Sequence, residues 1–331
     1  EAIMGAEIIV EKRYDDFFSF YKDISPLSMH GGMSRTHIFR GHSSEKYKLL
    51  PSALRQENIN KLYQSRMIQK DIIEREFEYI EQEYLLLKDF YIIASRNGLK
   101  VPYIEWIQQG IANQPKSYEF YREVLYLYPK KIEKHVWILK EMAYIAALAQ
   151  HYGVLTRLLD WTFDIHVALY FATYGACKNN IKDDFVTIWA LNTMYISDNL
   201  EGESNNQLKS VVPPYCDNPN INAQKGILTY WEIPINKDDF FISEKINKIV
   251  DRTPLDILCS EHIKLKYGRP ILYKLMFPAC FAHHVFMQLH ELGYNASRLF
   301  PGYQGVVRQM EEKKYIYEPW QNILDAQLQE K

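Results

Sequence analysis

The chain has 331 residues, with 39 basic against 41 acidic side chains and a formal net charge of −2. That balance excludes a protein whose whole surface is an electrostatic nucleic-acid binder, and leaves open only a local basic patch. Apolar residues make up 47%, enough for a real core, while Cys177, Cys216, Cys259 and Cys280 form no Cys-x-x-Cys pair and argue for reduced thiols rather than structural zinc.

In chain order, residues 14–21 read as an amphipathic lead-in helix. Residues 37–40 read as a short strand closed by Gly41. Helical spacing of Ile72, Ile73, Phe77, Ile80, Tyr84 and Leu87 opens a helical stretch over residues 56–148. Asn97-Gly98 interrupts it, and a looser region follows over 100–128. Apolar positions from Ile132 to Ala149 continue a helix that stops at Gly153, a natural left-handed cap. Residues 156–159 read as extended, with Asp160 or Thr162 capping a helix through 167–172. Residues 185–191 form a strand, and 197–220 a polar, proline-bearing loop. Residues 222–233 read as a strand with Gly226 at a bend, 270–277 as another strand, and 279–292 as a helix ending at Gly293. The mixture lacks a regular β-α-β alternation. It predicts an α+β fold with a central mixed, partly antiparallel sheet and a helical block inserted after the first strand. The 25 tyrosines are spread evenly and are not interleaved with basic clusters, so they read as half-buried filling rather than stacking platforms for bases.

Chemistry concentrates between Gln150 and Ala172, where His151, Arg157, Asp160, Trp161, Thr162, Asp164 and His166 sit between two apolar helical stretches. Such groups must be paired or carry a function, because burying a neutral polar group unpaired costs roughly 2–7 kcal/mol and a charge costs more. Arg40, in an apolar strand before a glycine, needs an anion. It either binds a phosphate or carboxylate bidentately or is clasped by Asp160 or Asp164. Gly41 would admit a ligand or another backbone at close range. Arg157 and Asp160 either form a structural ion pair or place a charge that orients His151 or a substrate hydroxyl. His151 has the chemistry of a general base or proton donor and equally that of a satisfied structural histidine. Gln224 and Glu232, an even eight residues apart on the expected strand, would share a face. Cys280, His283 and His290 have helical ligand spacing but no fourth ligand nearby, so no metal is expected.

The segment Phe39-Arg40-Gly41, the following Leu50-Pro51-Ser52, the run from Gln150 to Thr162, Gln224-Lys225-Gly226 and Leu299-Phe300-Pro301 together resemble the FRG domain family of bacteria and their phages. The resemblance extends over about residues 37–310 and implies a single FRG-like domain over 1–331, with 56–148 as a helical insertion. Gly302 and Gln304 stand where that family's terminal block is usually acidic, so no catalytic role is assigned there. The layout is similar to that of ADP-ribosyltransferases, in which a strand arginine holds the dinucleotide and a late carboxylate orients the ribose. It implies an enzyme acting on a nucleotide or NAD-like, phosphate-bearing ligand, with Arg40, Gly41, Arg157 and Gln224 binding and His151, Asp160 and Glu232 catalysing. NAD is then a candidate substrate, no resident cofactor is named, and a phage-defence effector is the implied setting. The alternative is a non-catalytic module that senses nucleic acid or a phage protein. No apolar run approaches the ~20 residues needed to span a bilayer and no signal-peptide pattern is apparent, so a cytoplasmic protein without a membrane partner is expected.

Overall fold

The computed structural model describes residues 7–27, 33–58, 76–105, 108, 136–196, 207–213, 218–234, 249–265 and 268–329, with the side chains of 77, 78, 81 and 317–329 left out. Its centre is a seven-stranded sheet built from β1 (Ile9–Arg13), β2 (His37–His42), β4 (Leu159–Thr162), β5 (Phe185–Asn192), β6 (Leu208–Val211), β7 (Gly226–Trp231) and β9 (Leu272–Pro278). The order is β1-β9-β5-β2-β4-β7-β6. Only β1 and β9 run parallel; the other neighbours are antiparallel, so the sheet is mixed and the fold α+β. A small ribbon pairs β3 (Val136–Trp137) with β8 (Ile233–Pro234).

Strand alternation divides the core. On one face Phe39, Ile188, Ala190 and Phe277 pack under α1 (Phe17–Ile24), α4 (Ile165–Lys178) and α7 (Ala282–Glu291). Their neighbours Ile38, Trp189, Leu191 and Leu272 point to the other face, against α6 (Leu255–His262). The helical block lies between β2 and β4: α2 (Glu76–Arg96) and α3 (Lys140–His151) bury Tyr84, Tyr91, Met142 and Ala146 together. The tyrosines follow the filling role. Tyr79, Tyr84, Tyr91, Tyr170 and Tyr195 are fully enclosed.

Several local expectations change. The lead-in region holds β1 before α1, because Ile9 to Arg13 find a parallel partner in β9, 263 residues later in the chain for the first pair. Of the helix expected from 132, residues 132–135 lie outside the described residues, Val136 and Trp137 pair with β8 in the ribbon, and the helix runs from Lys140. The extended piece expected at 156–159 becomes β4, three residues further on, and Asp164 rather than Asp160 or Thr162 caps α4, its carboxylate accepting from His166 N at 3.0 Å. The expected loop at 197–220 contains β6 and the start of α5 (Pro219–Ala223); residues 197–206 and 214–217 lie outside the described residues. The strand expected from 222 starts only at Gly226, since residues 219–223 are helical and Gln224 is their C-cap. The expected caps do form: Gly153 and Gly293 take φ of +93° and +80°.

Gly41 explains how β2 meets α4. A Cβ there would sit 2.0 Å from the Ala168 carbonyl oxygen and 2.9 Å from the Ala172 Cβ. Of the two expected close approaches, that by another backbone is the one formed, by the helix α4, while Gly41 also stands on the lining of the cleft beside β2 and β4. Gly41→Ala is expected to cost about 1–3 kcal/mol or more, as overpacking of a filled core does. A urea-unfolding midpoint equal to the parent's would mean that α4 shifts freely.

Candidate active site

β2 and β4 are paired at one position, Phe39 opposite Thr162. Beside that point a cleft of about 450 Å³ opens between the sheet, α4, α5 and the start of α9 (Tyr303–Gln329). This lies within the roughly 300–1,000 Å³ of small-molecule sites. Arg40, Asp160, His151 and Gln224 all line it, from four elements separated by up to 184 positions in the chain. Of the residues assigned to the site from sequence, Arg40, Gly41, His151, Asp160 and Gln224 line this cleft, whereas Arg157 and Glu232 do not.

Arg40 is held from two sides. Its Nε donates to His42 Nε2 at 3.1 Å, and its Nη1 donates to the Asp160 carbonyl at 2.7 Å. The Asp160 carboxylate lies 3.8 Å from Nη1, with the arginine side chain 15% exposed and the aspartate 69%. Among the described residues Nη2 has no hydrogen-bond partner, so one edge of the guanidinium is available to the cleft. Burial presses the Arg40 pKa down and Asp160 raises it again, which leaves a cation at any physiological pH.

His42 was missed by the sequence reading. Because its Nε2 accepts from Arg40, the ring proton belongs on Nδ1, which donates to the Tyr47 carbonyl at 3.2 Å. Burial, then the charge of Arg40, pushes its pKa down to about 3, and burial pushes that of His37 down to about 4. Both rings fold neutral and must charge on unfolding in acid. A depressed histidine pKa means that the unfolded chain binds more protons below the ordinary value of 6.5, so stability is full above that pH and falls as pH drops toward 4. Glu83, raised by burial to about 6, gives an opposite but smaller slope. Melting curves between pH 7 and 4.5 are expected to show a net loss, reduced in His42→Gln. A flat profile in the parent would refute the neutral Arg40–His42 contact.

Asp160 is oriented by Gln150, whose Nε2 donates to Oδ1 at 2.6 Å; the Gln150 side-chain Oε1 in turn accepts from the Thr156 hydroxyl. Gln150 stood in the motif but was not chosen. His151, at the last turn of α3, has its Nε2 3.3 Å from the Asn220 side-chain amide, which donates to it. Burial lowers its pKa and Asp160 partly opposes this, giving a neutral ring able to accept a proton. Gln224 is fixed by its Nε2 donating to the Leu299 carbonyl at 3.0 Å and by its own carbonyl accepting from the Thr162 hydroxyl at 2.6 Å. Asn220, Gln304 and Arg308 complete the polar lining, with Trp161, Phe171 and Phe300 as aromatic walls.

Two candidates stand elsewhere. Arg157 lies outside the cleft with its side chain 6% exposed, its Nη2 2.7 Å from Glu76 and its Nε 2.6 Å from Glu83 of α2. Trp137 Nε1 donates to Glu83 at 2.9 Å, and the guanidinium rests 5.2 Å from the Tyr79 ring centre. Its carboxylate partners come from the helical block rather than from Asp160, which corrects the ligand-binding assignment. Glu232 follows β7 and faces Lys209 at 3.9 Å, not the cleft. The shared-face argument failed because Gln224 belongs to a helix end. No gathering of three metal-ligating side chains is found among the described residues. Cys177, Cys259 and Cys280 are free thiols, while Cys216 lies outside the described residues.

Residues 102–181 match the family model of the FRG domain. The match takes in α3, β4 and α4, hence His151, Arg157 and Asp160, while Phe39-Arg40-Gly41 falls outside it. No curated protein and no solved structure matches the chain. No helix among the described residues is long and apolar enough to cross a membrane. With the cleft's α3, β4 and α4 all inside the matched residues, the chain contains an FRG domain.

Proposed function

We propose that the cleft binds a nucleotide or NAD-like ligand through its phosphate and acts on it as a transferase or hydrolase. The observation that carries this reading is Arg40: a largely enclosed guanidinium, aimed by His42 and the Asp160 carbonyl, with one edge left for an anion. Arg308 adds a second cation on the lining. The exposed Asp160 carboxylate, held by Gln150, is suited to a ribose hydroxyl or to the positive charge that develops at a ribosyl carbon. Neutral His151, on the lining of the same cleft, would take the proton. The carboxylate of an ADP-ribosyltransferase-like layout would then be Asp160, since Glu232 faces away. A phage-defence role rests on the resemblance to the family, and a cytoplasmic setting on cysteines that form no Cys-x-x-Cys pair.

A purely sensing module is the second reading. It is favoured by one fact: Asp160 already has Gln150 and Arg40 as partners and so is satisfied without a reaction. Calorimetric titration with ADP, NAD and pyrophosphate tests binding, and mass spectrometry of NAD and ATP incubated with the protein tests turnover. Binding without consumption supports the sensor. Absence of binding by all three phosphate probes overturns the nucleotide site and leaves the module that senses nucleic acid or a protein.

A further inference from the structure

We infer that the mouth of the cleft holds a nucleobase, and that Phe171 with the Phe300–Arg308 pair forms its stacking corner. This rests on the reading of Arg40 as the phosphate anchor and assigns the other end of the same ligand. Phe171 is 36% exposed on a helix whose residues Leu169, Tyr170, Ala172 and Thr173 are at most 1% exposed. It lines the cleft rather than the core. Phe300 meets it edge to face, ring centres 6.1 Å apart at 83°, and the Arg308 guanidinium lies 4.3 Å over the Phe300 ring. Two rings so placed are too close to admit a base between them. They make a corner instead, in which a flat ring lies on the open face of Phe171 with its edge toward Phe300 and the arginine.

The corner is rigid for identifiable reasons. Gly305 lets the first turn of α9 press on Phe300, since a Cβ there would lie 1.9 Å from the Phe300 carbonyl oxygen. Glu312, 1% exposed, accepts from Ala296 N at 3.1 Å and from the Tyr170 hydroxyl, which ties α9 to α4 and to α8 (Ala296–Leu299). The amides of Asn220, Gln224 and Gln304 stand on the same lining. Amides offer a donor and an acceptor each, the pattern that reads the edge of a heterocyclic base. Phosphate alone would need neither the aromatic corner nor three amides.

The test compares ADP with ribose 5-phosphate, which keeps a phosphate and loses the base. Phe171→Ala, at a half-open position, leaves the fold intact and is expected to weaken ADP about tenfold, in line with base–aromatic stacking, while ribose 5-phosphate changes less than about twofold. Arg308→Gln should weaken both, and ADP more. Arg40→Ala should weaken both probes alike. Equal loss of ADP and ribose 5-phosphate in Phe171→Ala, or no loss of either, overturns the stacking corner while a response to Arg40→Ala leaves the phosphate anchor standing. If the parent protein binds neither probe, the anchor and the corner fall together.

Discussion

Arg157→Met is expected to lower the unfolding free energy by about 3–5 kcal/mol, because it strands two buried carboxylates without their cation. Glu76 and Glu83 are 6% and 4% exposed at the side chain, and their ion pairs with Arg157 span 2.7 and 2.6 Å. Burial already raises the Glu83 pKa to about 6 against the pull of Arg157. Without the guanidinium the folded Glu83 carboxylate binds its proton still more readily, so the variant regains stability as pH falls from 7 toward 5. Sign and linkage agree: a raised folded-state carboxylate pKa favours the native state at lower pH. Urea unfolding at both pH values checks this. Adding Glu76→Gln and Glu83→Gln to the variant should recover a large part of the loss. A variant within about 1 kcal/mol of the parent at pH 7 would mean that water reaches the cluster.

Arg40→Ala is expected to weaken nucleotide binding strongly while costing only about 1 kcal/mol of stability, since its acidic partner is exposed and an exposed ion pair contributes little. Asp160 is 69% exposed and keeps its bond from Gln150, so nothing charged is left stranded. Asp160→Asn separates roles further. The substitution keeps shape, removes a negative charge 3.8 Å from Arg40, and should therefore hold or tighten phosphate binding. Turnover of NAD, where Asp160 acts on the ribose, should fall by about 10² or more, the scale of losing one electrostatic stabiliser. Intact binding in Arg40→Ala together with a loss of 3–5 kcal/mol would make the arginine a structural clasp. Unchanged turnover in Asp160→Asn would remove it from the chemistry.

These two arginines mark where sequence stopped deciding. Composition and periodicity alone determined that the chain is α+β, that apolar strands and helices are mixed without regular alternation, and that Gly153 and Gly293 end helices. Those features arise from local sterics and from the burial of one residue face, which neighbours in sequence specify. The dense polar run at 150–166 likewise singled out His151 and Asp160, because titratable groups between apolar helices need partners. What sequence could not say is which partner each group finds. Arg40 and Arg157 carry the same side chain in similar apolar settings, yet one meets an exposed aspartate at a splayed strand pair and the other two glutamates of a helix 74 and 81 positions earlier. That choice depends on sheet order, in which β2 lies between β5 and β4, and on the helical block that closes over Arg157. Strand β1, the histidine that aims Arg40 and the aromatic corner between α4 and α9 were decided in the same way. Their energies come from contacts between residues far apart in the chain, and only the assembled sheet brings those residues within reach.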